Sequence, residues 1–350
     1  MSVPKSQYLS PVWRDNIFGE LPPGPPLPQN PGPQHHQALR IFYLQEENPA
    51  LANRVVFVTG GAGSICSAQT RALVHLGADA CIIGRNVEKT EQAAKEIAQV
   101  RSGSRVIGIG GVDVRSFDSL KSAADRCARE LGAIDFVIAG AAGNFVAPIS
   151  GLSPNAFKSV IDIDTIGTFN TIKATVPHLV ESARRNPNPN EAGTTGGRIL
   201  SVSATFHYTG MPLQAHVSAA KAAVDSLMAS VALEYGPFGV TANCVVPGYI
   251  GETEGMARLA SSKIDMQTTG KGIPSGRVGS VRDIADATVY LFSDAGNFVN
   301  GASLVVDGAG WRRQGALAVG LDEQMVYPDF LLAGEISKNL KSGKKEKSKI

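Results

Sequence analysis

The chain has 350 residues, 43% hydrophobic and 18% charged, the composition of a globular protein large enough to bury its own core. Its net charge of +2 is uneven: the last fifteen residues hold six lysines and one glutamate, so the remainder is slightly acidic and is not expected to bind nucleic acid. No run approaches the roughly 18 apolar residues of a spanning helix, the N-terminal ten residues lack an apolar signal core, and the six histidines and four scattered cysteines show no metal-binding spacing.

Residues 1–20 carry Trp13 and Phe18 and are expected to form a docking arm. Residues 21–53 open with Leu21-Pro-Pro-Gly-Pro-Pro-Leu-Pro28, which forbids helix and central strand and reads as a flexible insert. A PxxP ligand for an SH3-like partner is the alternative reading of that stretch. From Arg54 the chain alternates. Apolar strands are predicted at 55–58, 80–83, 106–109, 134–138, 198–202, 240–246 and 303–306. Helices are predicted at about 65–76, 87–100, 116–131, 154–183, 214–235 and 281–292, with a loop and a short helix over about 251–275. Continuous apolar strands separated by helices specify an α/β fold: a single doubly wound parallel sheet with helices on both faces, spanning 54–330. A basic tail, 331–350, follows.

The chemistry begins at Thr59-Gly-Gly-Ala-Gly-Ser-Ile-Cys66, which leaves the first strand and opens the first helix. Glycines at 60, 61 and 63 let the backbone approach a pyrophosphate, and the helix N-terminus with Ser64 and Ile65 stabilises its charge. This is the dinucleotide turn of a Rossmann fold. The second strand ends Ile83-Gly-Arg85-Asn86. The acid that would meet a ribose 2′-hydroxyl is absent, and Arg85 suits a 2′-phosphate, which selects NADPH over NADH. On the helix at 214–235, Lys221 and Asp225 lie four apart on one face. They form either a solvated ion pair or part of a site.

Together these features resemble the short-chain dehydrogenase/reductase superfamily over about residues 54–311. The turn resembles TGxxxGxG, with Ser64 and Cys66 at the second and third glycine positions. Asp113 matches the position that meets adenine. Ala139-Gly-Ala-Ala-Gly143 resembles NNAG, with Ala139 and Gly140 replacing both asparagines. Pro247, Gly248, Ile250 and Thr253 match the segment that closes over the nicotinamide. Lys221 corresponds to the family's active-site lysine, but Val217 stands in place of the catalytic tyrosine, Ala204 in place of the serine, and Asp164 in place of the structural asparagine. Ketone reduction, in which tyrosine protonates an alkoxide, is therefore disfavoured. Two readings survive: a reductase whose product is not an alkoxide, and a non-catalytic NADPH-binding protein. A 3-ketoacyl-CoA or other carbonyl reductase is the disfavoured enzyme alternative.

Within the superfamily the chain resembles the peroxisomal 2,4-dienoyl-CoA reductases, the fungal members most. The matching stretches are Ala142-Gly-Asn-Phe145, Leu152-Ser-Pro-Asn-Ala-Phe157, Asp162 to Phe169, His216 to Asp225, and Gly251 to Arg258. The resemblance implies hydride transfer from NADPH to C5 of a 2,4-dienoyl-CoA and protonation at C2, giving a 3-enoyl-CoA in the β-oxidation of unsaturated fatty acids. It implies that Lys221 holds the nicotinamide ribose, and that Asp164 and Asp225 organise a proton-donating water, with His207 and Tyr208 as further candidate donors. Phe145 would line the acyl slot beside Ser153 and Asn155, and Arg115 and Arg258 would pair with CoA phosphates. A homodimer or homotetramer is implied. The chain ends Ser348-Lys349-Ile350, which resembles the Ser-Lys-Leu address and points to the peroxisomal import receptor and the peroxisome matrix.

Overall fold

The computed structural model describes residues 51–186, 196–251, 253 and 266–313. The N-terminal arm, nearly all of the Pro-rich insert, Arg258, the basic tail and its last three residues lie outside the described residues.

Among the described residues, seven strands form one sheet: β1 Val55–Thr59, β2 Asp79–Ile83, β3 Val106–Ile109, β4 Phe136–Ala139, β5 Gly197–Val202, β6 Val240–Pro247 and β7 Ser303–Val306. Their order is β3-β2-β1-β4-β5-β6-β7, and every neighbouring pair is parallel. The helices are α1 Ser64–His75, α2 Val87–Ala98, α3 Phe117–Leu131, α4 Pro154–Val160, α5 Gly167–Arg185, α6 Phe206–Thr209, α7 Ala215–Tyr235, α8 Met266–Lys271 and α9 Val281–Phe292.

The alternation of side chains along each strand splits the core in two. Val55 and Phe57 of β1 join Leu120, Leu179 and Met228, from α3, α5 and α7, on one face. Val56 and Val58 join Leu73, Ile97 and Ile284, from α1, α2 and α9, on the other. Both faces of β1 are dry, which is why its sequence is apolar without a break. Each fully buried Phe57, Ile82 or Leu200 contributes roughly 1.5–3 kcal/mol of hydrophobic stabilisation. The strand order reverses between β1 and β4, so the crevice beyond their carboxyl ends is the place a ligand fits in such a sheet.

The single helix predicted over 154–183 is not continuous. After α4, residues Ile161–Ile166 form a π-helical segment before α5 resumes. The wider turn rotates Asp164 into the interior, where it is fully buried. Gly167 follows at once, where a Cβ would lie 2.6 Å from Val114 Cγ2. The short α6, after β5, was also not predicted.

Candidate active site

The turn after β1 is built for close backbone contact. Gly60 has φ of +67°, and a Cβ there would lie 3.0 Å from Ala141 Cα. A Cβ on Gly61 would lie 2.5 Å from Ile82 Cβ. Gly63 is the N-cap of α1 and supplies no side-chain cap, and the first turn of α1 carries no acid. Ser64 and Ile65, half-buried, begin the helix. An anion therefore meets partial positive charge and no repelling carboxylate there, which fits a dinucleotide pyrophosphate.

Two departures from the family motifs, Cys66 in the turn and Gly140 after β4, explain each other. A Cβ on Gly140 would collide with Cys66 Sγ. Cys66 fills the space that an asparagine side chain would need, so a cysteine in α1 requires a glycine after β4. Burial pushes its thiol up to about 12, so Cys66 is a neutral packing group. Thr59 Oγ1 completes this corner by accepting the N–H groups of Gly140 and Ala141 at 3.1 and 3.2 Å.

Arg85 is exposed just beyond β2. Asp113 is gripped by Arg115, whose Nε lies 3.0 Å from both carboxylate oxygens. That hydrogen bonding, with a smaller contribution from nearby Arg85, holds the Asp113 carboxyl below its ordinary value. Arg115 is thus committed to Asp113 in this structure. Beyond β6, a Cβ on Gly248 would lie 2.5 Å from Asp307 Cβ, so the Pro247-Gly248 corner is pressed against the end of β7. Ile250 is buried and bridges to Gly279, and Thr253 Oγ1 donates to the Ile250 carbonyl at 3.1 Å.

Lys221 lies on α7 and is 7% exposed. Its Nζ donates to the Val202 carbonyl at the end of β5, at 2.9 Å, and lies 3.2 Å from Asp164 Oδ2. Asp164 Oδ1 accepts the N–H of Gly143 at 2.6 Å. The pair therefore ties the π segment and α7 to the ends of β4 and β5. A charge this deeply buried is tolerable because it is both paired and hydrogen-bonded. The position of the absent tyrosine is apolar: Val217 packs with Val160 and Ala220, and Phe145, Ile161 and Phe206 lean on this cluster.

Phe145 stacks on His216 with ring centroids 4.3 Å apart. Its carbonyl accepts from Gln214 Nε2 at 3.0 Å and from His216 Nε2 at 3.1 Å. Asn144 Oδ1, Gln214 Oε1 and His216 Nδ1 are buried without a hydrogen-bond partner. Such atoms beside an apolar cluster mark places for water or a bound molecule. None of the three was named as a site residue from the sequence, although Asn144 and His216 stand in the stretches Ala142-Gly-Asn-Phe145 and His216 to Asp225 that carry the resemblance.

Asp225 stands apart. The i,i+4 ion pair with Lys221 does not form; its Oδ2 instead accepts from His207 Nε2, Tyr208 Oη and Ser303 Oγ at 3.0, 2.8 and 3.3 Å. Ser153 is the N-cap of α4, its Oγ accepting the Ala156 N–H at 3.2 Å, and Asn155 is exposed in the first turn. The structure thus gathers Lys221, Asp164, Val217 and Phe145, and gives Asp225 and Ser153 other partners.

A family model described as Enoyl-(Acyl carrier protein) reductase matches residues 60–310. A peroxisomal 2,4-dienoyl-CoA reductase, (3E)-enoyl-CoA-producing, of Saccharomyces cerevisiae is 49% identical over 286 residues, 81% of this chain and 91% of that protein. Its counterpart by name in Danio rerio is 39% identical over 75% of this chain and 82% of that protein. Among solved structures, a gluconate 5-dehydrogenase from Burkholderia cenocepacia in complex with NADP and tartrate superposes with a TM-score of 0.66 at 27% identity, over 75% of this chain and 97% of that one.

Proposed function

We infer the function from one premise: the chain belongs to the short-chain dehydrogenase/reductase superfamily, among the 2,4-dienoyl-CoA reductases. It is an oxidoreductase that uses a nicotinamide dinucleotide. The reaction is reduction of 2,4-dienoyl-CoA to 3-enoyl-CoA in the peroxisome, as the names of its relatives support. The observation that carries this reading is the buried Lys221–Asp164 pair beside an apolar Val217. The lysine is kept, and the phenol that would protonate an alkoxide is gone.

The cofactor is NADPH, held by the Gly60–Gly63 turn and the start of α1, with Arg85 taking the 2′-phosphate. NADPH supplies the hydride when bound. Lys221 holds the nicotinamide ribose and places a positive charge where the thioester dienolate develops. Asp164, 3.2 Å away, keeps that ammonium oriented. The electron pair that arrives at C5 leaves negative charge on the thioester oxygen, and a proton delivered to C2 closes the reaction. Asn144, Gln214 and His216 offer polar groups around the slot lined by Phe145, in which a water can be held. Pro247, Gly248, Ile250 and Thr253 cover the nicotinamide side.

The chain acts as a homodimer or homotetramer. Ile166 and Phe169 before and on α5, and Leu233 on α7, are exposed apolar residues that such an interface would cover. The import receptor reads Ser348, Lys349 and Ile350, so deleting them should leave a fluorescent fusion outside the peroxisome. The direct test follows NADPH oxidation with a 2,4-dienoyl-CoA and, separately, a 3-ketoacyl-CoA. Turnover of the diene alone is expected; turnover of the ketone alone would sink the reading. Arg85→Ala should raise the KM for NADPH roughly tenfold or more and leave that for NADH unchanged.

A further inference from the structure

We propose that His207, Tyr208 and Asp225 form a positioning cluster that fixes one wall of the acyl slot, and that Asp225 acts there instead of on the reacting atoms. The assignment of the slot rests on the function proposed above. One carboxylate on α7 joins three elements: it accepts from His207 and Tyr208 on α6, and from Ser303 on β7. Its side chain is only 15% exposed, and that of His207 11%. Such a carboxylate needs its charge answered, and Lys221 is turned toward Asp164.

The bonding is lopsided in a way that suits a strut. All three donors converge on Oδ2, and Asp225 Oδ1 and His207 Nδ1 are buried without partners. Burial pushes the Asp225 carboxyl up, but hydrogen bonds from His207 and Tyr208 outweigh it and hold the group below its ordinary value. Burial, with Asp225 adding to it, pushes the Tyr208 phenol up to about 12. The phenol is thus a weaker acid than a free tyrosine and its proton is already engaged by Asp225, so it is a poor replacement for the missing tyrosine.

The consequence for the site runs through Phe206. It precedes His207 on α6 and leans on the Val160, Val217 and Ala220 cluster. Fixing His207 fixes Phe206 beside the slot. Tyr208 in turn packs on Trp311, ring centroids 5.4 Å apart, and the Trp311 backbone N–H donates to Asp307 Oδ2 at 2.7 Å. The wall on the Phe145 side is held by Gln214 and His216; the Phe206 side is held by Asp225. Both anchors sit on or next to α7, the helix that carries Lys221.

Kinetics with 2,4-hexadienoyl-CoA and 2,4-decadienoyl-CoA test this, together with calorimetric binding of decanoyl-CoA, which needs no turnover. His207→Ala and Asp225→Asn should each raise the KM for the ten-carbon diene, and the Kd for decanoyl-CoA, about tenfold, the worth of one charge-assisted hydrogen bond. The six-carbon substrate should be affected less, kcat should fall by less than about threefold, and NADPH affinity should not move. His207→Gln, which restores a donor, should recover part of the loss. If either variant fails to fold, Tyr208→Phe removes a single hydroxyl and should shift the same two quantities in the same direction. A hundredfold fall in kcat at unchanged KM for Asp225→Asn would put Asp225 in the chemistry and overturn the proposal. Equal effects on both chain lengths would overturn it too. Wild-type protein that binds decanoyl-CoA without reducing either diene would refute the reductase reading alone, and the binding data on the variants would still decide the cluster.

Discussion

At the scale of single residues, the site is defined by what a neighbour permits. Asp164 is the clearest case: a helix residue by sequence, it becomes the buried counter-charge of Lys221 and the acceptor for Gly143. Asp164→Asn keeps the shape and the Gly143 bond but leaves the ammonium without its ion pair. We expect kcat to fall about a hundredfold, or about 2.7 kcal/mol of transition-state stabilisation, with the fold retained; unchanged kcat would show that the carboxylate only packs. The Cys66–Gly140 contact gives a second, structural prediction. Gly140→Ala should cost roughly 1–3 kcal/mol in urea denaturation and weaken NADPH binding, because the added methyl meets Cys66 Sγ. Adding Cys66→Ala should restore most of both. Failure of that rescue would mean that the glycine is needed for its backbone alone.

At the scale of elements, most boundaries follow from local chemistry and one does not. Helix α9 begins where Ser280 Oγ caps the Asp283 N–H and the Asp283 carboxylate accepts the Ser280 N–H at 2.7 Å. Hydrogen bonds from Arg277 and Ser280 hold the Asp283 carboxyl well below the ordinary carboxylate range. A depressed carboxyl stabilises the fold above its unfolded value, near 3.9, and loses that contribution as pH falls toward its folded value. Asp283→Asn should therefore cost about 1 kcal/mol at pH 7, and its gap from wild type should narrow below about pH 4. A gap that did not change with pH would rule out the charge as its source. The interruption between α4 and α5 has no such local signature. Residues 161–166 carry no proline or glycine, and the π turn persists because Asp164 is held by Gly143 and Lys221, partners distant in sequence.

At the scale of the whole molecule, the two edges of the sheet do different work. The carboxyl ends of β1, β4, β5 and β6 carry the glycine turn, Gly143, the Val202 carbonyl and Pro247. The amino ends carry buried polar ties. Asp135, just before β4, accepts from the Val55 N–H at 2.8 Å and from Ser182 Oγ at 2.6 Å. Arg198, at the start of β5, donates to the carbonyls of Leu291 and Ser293 and to Asn297, and burial lowers its pKa to about 10. Arg198→Leu would strand those acceptors at the end of α9. Urea denaturation should show a loss of about 2–4 kcal/mol with NADPH affinity retained. A loss under about 0.5 kcal/mol would mean that water replaces the guanidinium.

The sequence by itself determined the alternation of strands and helices, the parallel sheet, the nucleotide turn, and the survival of Lys221 without its tyrosine. These were legible because strand burial needs uninterrupted apolar runs, and because a pyrophosphate turn needs glycines in contiguous order. Only the tertiary structure decided where each charge goes. Lys221 and Asp225 share a helix face, yet one turns to Asp164 on the π segment and the other to His207, 18 residues away along the chain, and to Ser303 on β7. Cys66 and Gly140 each look like a blemish in its own motif and make sense only in contact. Ion pairing and close packing act across space, between elements that the chain order keeps apart, so spacing along one helix cannot say which partner a buried charge will find.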